Sequence, residues 1–413
     1  MDSIRKETIE KQLNKAIILL CFLEVAILRW LNLHTYGGYI LDVLILTSIF
    51  LCFKKYDIKT LIISVLICIY ILISYLLFGG TLKNTIANIR DIFPILLIIN
   101  FYIYLKRNFD IYKNFDKLFP YINIYMILNV IALILEAKGI TYLSGIRVFY
   151  GHTFTYIQDS ISGLLGVYGQ PLFGFYAIFV LFYNYIYTKQ LDNKKTKIIL
   201  NIYNVSSLMF TLVIASIGDN RIYYIFLLMF IFLYFINLFT NKYGSEKTIK
   251  FLFISIILCI VLFFFMYNNL GLVKNYVNDL LGALINGINP DNMYYSGSGE
   301  RLGLIVYFIQ YLNPLFGNGV GNLRWTQGLG LGFKHFGISD LGTILCMGGF
   351  ILLFLYFLLF YFLFNYISEN KIITLTIFLI TVVVMFSTQI VFSTSAIILY
   401  ILVLITIGWN VHN

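Results

Sequence analysis

From residue 16 to residue 409 the chain is a succession of apolar runs of about 17–25 residues, the length a helix needs to cross a bilayer. Twelve such runs stand out, at about 16–34, 37–53, 60–78, 91–105, 119–137, 164–187, 198–216, 222–240, 250–267, 337–366, 372–388 and 390–409. The hydrocarbon core offers no partner to backbone N–H and C=O groups, so each run is expected to fold as a helix. The expected fold class is all-α, a single polytopic membrane domain over residues 1–413. Apolar residues make up 60% and charged residues 12%, too little charge to cover a soluble chain of this length. The charged segment Met1–Lys15 leads into the first run without a small-residue cleavage pattern, so a retained first helix is expected, not a signal peptide.

Charge between the runs sets the orientation. With the N-terminus inside, the inner segments hold nineteen of the 29 basic residues. The positive-inside rule therefore gives both termini cytoplasmic, and puts the largest loop, about 268–336, outside. Anionic lipid headgroups suffice to explain the net charge of +10, with no call for nucleic acid. Of the nineteen inner basic residues 17 are lysine, whereas five of nine outer ones are arginine: Arg90, Arg147, Arg221, Arg301 and Arg324. Topology is indifferent to the kind of cation, but phosphate recognition is not, because guanidinium is planar and grips two oxygens at once. Two readings stay open. The outer arginines form a cationic cavity for a phosphate-bearing ligand, with Arg147, Arg221 and Arg301 converging, or they pair with Asp91, Asp159, Asp219 and Glu300.

Within the runs, Glu24, Arg29 and Asp42 are the notable charges. Arg29 and Asp42 fall at similar depth across the short connection His34–Gly38, and a hairpin salt bridge between them is expected, a proton relay being the alternative. The five cysteines lie in or beside apolar runs without C-x-x-C spacing, and the four histidines are scattered, so neither a metal site nor a disulfide framework is expected. Gly317-Asn-Gly-Val-Gly321 lacks the G-K-[ST] ending of a nucleotide loop. Its plainer meaning is backbone flexibility and close approach.

The one sizeable polar insertion, Tyr294–Gly349, follows an apolar stretch and carries Glu300, Arg301, Arg324, Lys334, His335 and Asp340 among its glycines. His335 and Asp340 are candidates to accept a proton from an attacking hydroxyl. Alternatively His335 is an interfacial polar residue and Asp340 caps a helix start. Gly337, Gly342, Gly348 and Gly349 suggest another backbone packed closely against the tenth run.

Gly297-Ser-Gly-Glu-Arg301, Asn313-Pro-Leu-Phe-Gly317-Asn-Gly-Val-Gly321, Ser339-Asp-Leu-Gly342 and Gly348-Gly349 together resemble the large-loop region of the O-antigen polymerase and ligase superfamily, whose polymerases are called Wzy. Gly169-Gln-Pro-Leu-Phe173 and Ser216-Ile-Gly-Asp-Asn-Arg221 add to the resemblance, which covers most of the chain. Two features depart from it: Phe336 follows His335 where the ligases carry a polar residue, and neither Arg147 nor Arg301 has glycine eleven residues on. The first departure favours polymerase over ligase.

The resemblance implies a GT-C-like membrane glycosyltransferase acting on undecaprenyl-diphosphate-linked oligosaccharide at the outer face of the cytoplasmic membrane. It implies no metal and no cofactor, and, besides membrane lipids, a chain-length regulator as protein partner. Arg90, Arg147, Arg221, Arg301 and Arg324 would bind the diphosphate, and arginine would stabilise the leaving charge. His335 would contact the acceptor hydroxyl, with Asp340 holding either His335 or the hydroxyl. Tyr294, Tyr295, Phe316, Trp325 and Phe333 would stack on sugar faces or anchor at the interface. The alternatives are a ligase or another lipid-diphosphate-dependent glycosyltransferase and, from a different class, a flippase or transporter. A flippase is expected to show two similar halves, and no internal repeat is detected.

Overall fold

The computed structural model describes residues 2–31, 33–107, 119–140, 143, 163–165, 170–190, 193–217, 221–269, 271, 274–275, 278, 282, 298–322, 339–368 and 370–409. In chain order the α-helices among them are α1 (Asp2–Leu23), α2 (His34–Cys52), α3 (Ile58–Phe78), α4 (Leu82–Arg90), α5 (Phe93–Arg107), α6 (Phe119–Ala137) and α7 (Gln170–Gln190), followed by α8 (Lys194–Ile217), α9 (Arg221–Tyr243), α10 (Ser245–Asn269), α11 (Ser298–Tyr311), α12 (Asp340–Ile367), α13 (Lys371–Ser387) and α14 (Thr394–Trp409). The described residues contain no strand, only an isolated antiparallel bridge between Asn313 and Gly317.

Each expected apolar run lies on a helix over most of its length. Seven helical stretches among the described residues are long and apolar enough to cross a membrane: His34–Lys55, Ile58–Phe78, Leu82–Tyr104, Pro120–Ala137, Lys194–Val213, Ile222–Tyr243 and Asp340–Ile367. They mark the chain as a membrane protein. Lys371–Ser387 and Thr394–Ile407 are apolar but shorter. Large apolar side chains stand outward on these helices, Phe50 and Leu76 among them, as expected of surfaces that meet lipid rather than water. One element differs from the expectation. Residues 82–90, read as part of an outer connection, form α4, started by Thr81, whose hydroxyl accepts the Asn84 N–H at 3.2 Å.

The chain divides into two compact units. The first comprises Met1–Tyr56, Phe93–Tyr234 and Ser393–Asn413. There α14 packs on α7 and α5, α1 on α2, and α8 on α7 and α6. Residues 396–405 of α14 are apolar all round and buried, as a central helix requires. Phe175 of α7 stacks on Phe226 at 5.2 Å and meets Tyr400 edge-on at 5.6 Å. Several buried amides are paired: Asn123 and Asn184 exchange two hydrogen bonds of 3.2 and 2.7 Å, and Tyr56, Asn100, Ser48 and Asn14 form a chain with links of 2.8–3.1 Å.

The helical run of α1 ends in a π-turn over Glu24–Leu28. Its wider register, with the Arg29 N–H donating to the Glu24 carbonyl at 2.9 Å, brings residues five apart onto one face. Arg29 therefore lies against Glu24, with Nε 3.3 Å from Oε1, and the Ser395 hydroxyl donates to the other oxygen, Oε2. Glu24 thus supplies a carboxylate beside Arg29, a partner that the sequence had not matched to it. The physical reason is the π-turn, because in an α-helix residues five apart diverge by about 140°.

The second unit comprises Asp57–Ile92 and Phe235–Phe392. In it α12 packs on α3, α11 and α13, and α3 packs on α4.

Candidate functional site

The glycine-rich run after α11 is a turn docked by hydrogen bonds in the second unit. Pro314 cannot continue the helix, and the Asn313 side chain turns the chain by accepting the N–H groups of Leu315 and Phe316 at 2.9 and 3.1 Å. The turn then lies against α12 at a break in that helix. Gly349 sits at φ 62°, ψ −162°, a conformation essentially confined to glycine. The break releases main-chain groups that a continuous helix would pair, and neighbours satisfy them. The Phe350 N–H donates to the Pro314 carbonyl at 2.9 Å, the Cys346 carbonyl accepts from the Asn318 N–H at 2.8 Å, and the Tyr70 hydroxyl donates to the Gly348 carbonyl at 2.6 Å.

Close approach explains the glycines on both sides. A Cβ on Gly349 would stand 2.4 Å from the Leu315 carbonyl carbon and oxygen, and one on Gly317 would stand 2.6 Å from the Cys346 carbonyl oxygen. The far side of the turn is held by α3 and α4. The Val320 N–H donates to the Ser74 hydroxyl at 2.9 Å and its carbonyl accepts from the Asn88 amide at 3.0 Å. The Gly321 carbonyl accepts from the Thr81 N–H at 2.9 Å and the Asn84 amide at 3.3 Å. Phe316 stacks on Tyr70 at 6.4 Å with the rings 9° apart. Of the sequence expectations for this run, close approach holds, and the conformational freedom of glycine is used at Gly317 and Gly319, whose φ angles are 63° and 88°.

The helpers on α3 and α4 escaped the sequence reading. The sequence does carry a signal for them: Thr81, Asn84, Thr85 and Asn88 recur at helical spacing and form a polar stripe between two apolar runs.

Asp340 opens α12 and is fully buried. Ser339 caps the helix, accepting the Gly342 N–H at 3.2 Å and donating to the Met385 carbonyl at 3.2 Å. The Asp340 carboxylate reaches across to the irregular segment that follows α13. Its Oδ2 accepts the N–H groups of Ile390 and Val391 at 2.5 and 2.7 Å, while its own N–H donates to the Thr388 carbonyl at 3.1 Å. The other oxygen, Oδ1, has no hydrogen-bond partner among the described residues. Asp340 therefore ties the α12 start to the α13 end, a role its sequence position did not reveal.

Arg90, in the last turn of α4, bridges to the buried Asp91 at 2.9 Å, and its side chain is 32% exposed. Arg301 lies half-buried in the first turn of α11. Both belong to the second unit, whereas Arg221 opens α9 in the first. Arg147, Arg324, His335, Tyr294, Tyr295, Trp325 and Phe333 lie outside the described residues. Among the described residues no group of three or more His, Cys, Asp or Glu side chains is placed to hold a metal ion. No protein-family model matches the chain, and no curated protein matches it.

Proposed function

We propose that this chain is a polysaccharide polymerase that transfers a growing glycan from undecaprenyl diphosphate to a lipid-linked repeat unit at the outer face of the cytoplasmic membrane. One observation carries the reading. Asn313–Gly321 and Gly348-Gly349, the segments behind the family resemblance, meet in one hydrogen-bonded arrangement, and α4 and α11 beside it carry Arg90 and Arg301. A glycan transferase of this kind needs a rigid support for cations that grip a diphosphate, and irregular backbone is found at membrane depth only where protein buries it or it lines a cavity.

In the reaction the acceptor hydroxyl oxygen bonds to the anomeric carbon of the donor sugar. The bond from that carbon to the diphosphate oxygen breaks, and the hydroxyl proton passes to His335. Arginine stabilises the charge that develops on the departing lipid diphosphate, so no strong general acid is required. The same reading takes the chain as GT-C-like, with twelve spans and both ends cytoplasmic. Ser298→Cys in a cysteine-free background is then expected to react with an impermeant thiol reagent in intact cells. Reaction only after permeabilisation would overturn that topology.

The activity is tested with the purified full chain in proteoliposomes supplied with undecaprenyl-diphosphate-linked repeat units. A ladder of lipid-linked products longer than one repeat is the expected result. Unchanged substrate would sink the reading, and transfer only to a different acceptor would replace polymerase by ligase.

A further inference from the structure

Among the described residues Asp340 forms no ion pair. Its side chain has no exposed surface, and Asp91, itself 2% exposed, is near enough to act on it electrostatically. Arg90 neutralises one of these two carboxylates. Two backbone N–H groups serve Asp340 Oδ2 and that of Phe392 also acts on the carboxylate, but Oδ1 has no hydrogen-bond partner among the described residues. A buried carboxylate oxygen left in that state is costly, and the cost falls when a positive charge sits against it. Among the described residues no other ionisable group nearby supplies one: Tyr356 of α12 lies within electrostatic reach of both carboxylates, α3 contributes Cys68 to the same surroundings, and the one basic residue of α13 is Lys371 at its far end.

We propose that Asp340 Oδ1, backed by Asp91, holds a single small positive charge, a sodium ion or a proton, and thereby locks the α12 start to the segment after α13. Size decides the class of ligand. An oxygen without exposed surface is closed to a sugar hydroxyl or a headgroup, whereas a proton and a dehydrated monovalent ion are the smallest positive charges that could meet it. Helices interrupted inside a membrane protein are where such ions are held, because loosened backbone and a carboxylate can replace the water shell. The site stands independently of the glycan-transfer reading.

The test is thermal unfolding of the purified full chain in sodium chloride and in choline chloride of equal ionic strength, at alkaline and at mildly acid pH. A sodium ion at the site gives a saturable rise in melting temperature in sodium at alkaline pH, as for any ligand bound only by the folded state. A proton gives instead a rise on acidification that is equal in both salts. In either case Asp340→Asn, which keeps the shape and removes the charge, is expected to lose the dependence. Should that variant fail to fold, Asp91→Asn is read in its place and is expected to shrink the rise. Equal melting of the unaltered protein under all four conditions, or a dependence that survives the readable variant unchanged, overturns the proposal.

Discussion

Gly349→Ala is expected to give a protein that melts well below the parent and loses its compact form early in a detergent titration. The backbone at Gly349 lies in a region that costs a residue with a Cβ about 1–3 kcal/mol, and the new carbon would meet the Leu315 carbonyl at 2.4 Å. The second effect adds to the first, because relieving the overlap moves the turn and breaks the Phe350–Pro314 and Asn318–Cys346 hydrogen bonds together. Gly38→Ala is the control. It lies in α2 with nothing within 4 Å of the added carbon, and alanine is favoured over glycine in a helix by about 1 kcal/mol. Fluorescence-monitored melting of both variants decides the matter. Equal melting temperatures would mean that the turn does not hold the break in α12.

Arg301→Lys is expected to remove about 10- to 100-fold of polymer formation, since a point charge in place of a bidentate guanidinium gives up a charge-assisted hydrogen bond worth about 1.5–3 kcal/mol. Arg301 lies in the first turn of α11, the helix that leads into the docked turn, so its backbone position is fixed by the same contacts. Lipid-linked single repeats are expected to accumulate while the amount of folded protein stays at the parental level. The assay compares product ladders from parent and variant in proteoliposomes. A variant that elongates at the parental rate would take Arg301 out of the reaction and leave it a topological or structural charge.

Two helix starts rest on local polar caps. Asn370 caps α13 by accepting the Ile372 N–H at 2.9 Å, and Asn193 caps α8 by accepting those of Lys195 and Thr196. Both are residues whose side chains reach the first free N–H groups without help from the rest of the chain. The close approach of another backbone expected at this helix is present at Gly349, against the Leu315 main chain, whereas Gly342 meets the Leu304 side chain and Gly348 that of Leu352, and Gly337 lies outside the described residues. Glu24 shows the limit: its partner depended on one π-turn, and an insertion of register cannot be read from residue types alone.

What the sequence by itself determined is where the long apolar helices lie, though not the polar α4, because apolar length acts over a few residues and needs no distant partner. It also marked Gly317, Gly321 and Gly349 as places where another backbone must come close. Only the tertiary structure decided which backbone that is. Ser74 and Val320 are 246 residues apart in the chain, and Asp340 and Ile390 are 50 apart. Serine, asparagine and aspartate carry donors and acceptors that suit many partners, so their identity as residues leaves the choice open. Packing closes it: once α3, α4 and α12 enclose the turn, each buried N–H and C=O must find a partner within reach, and few are left to choose from.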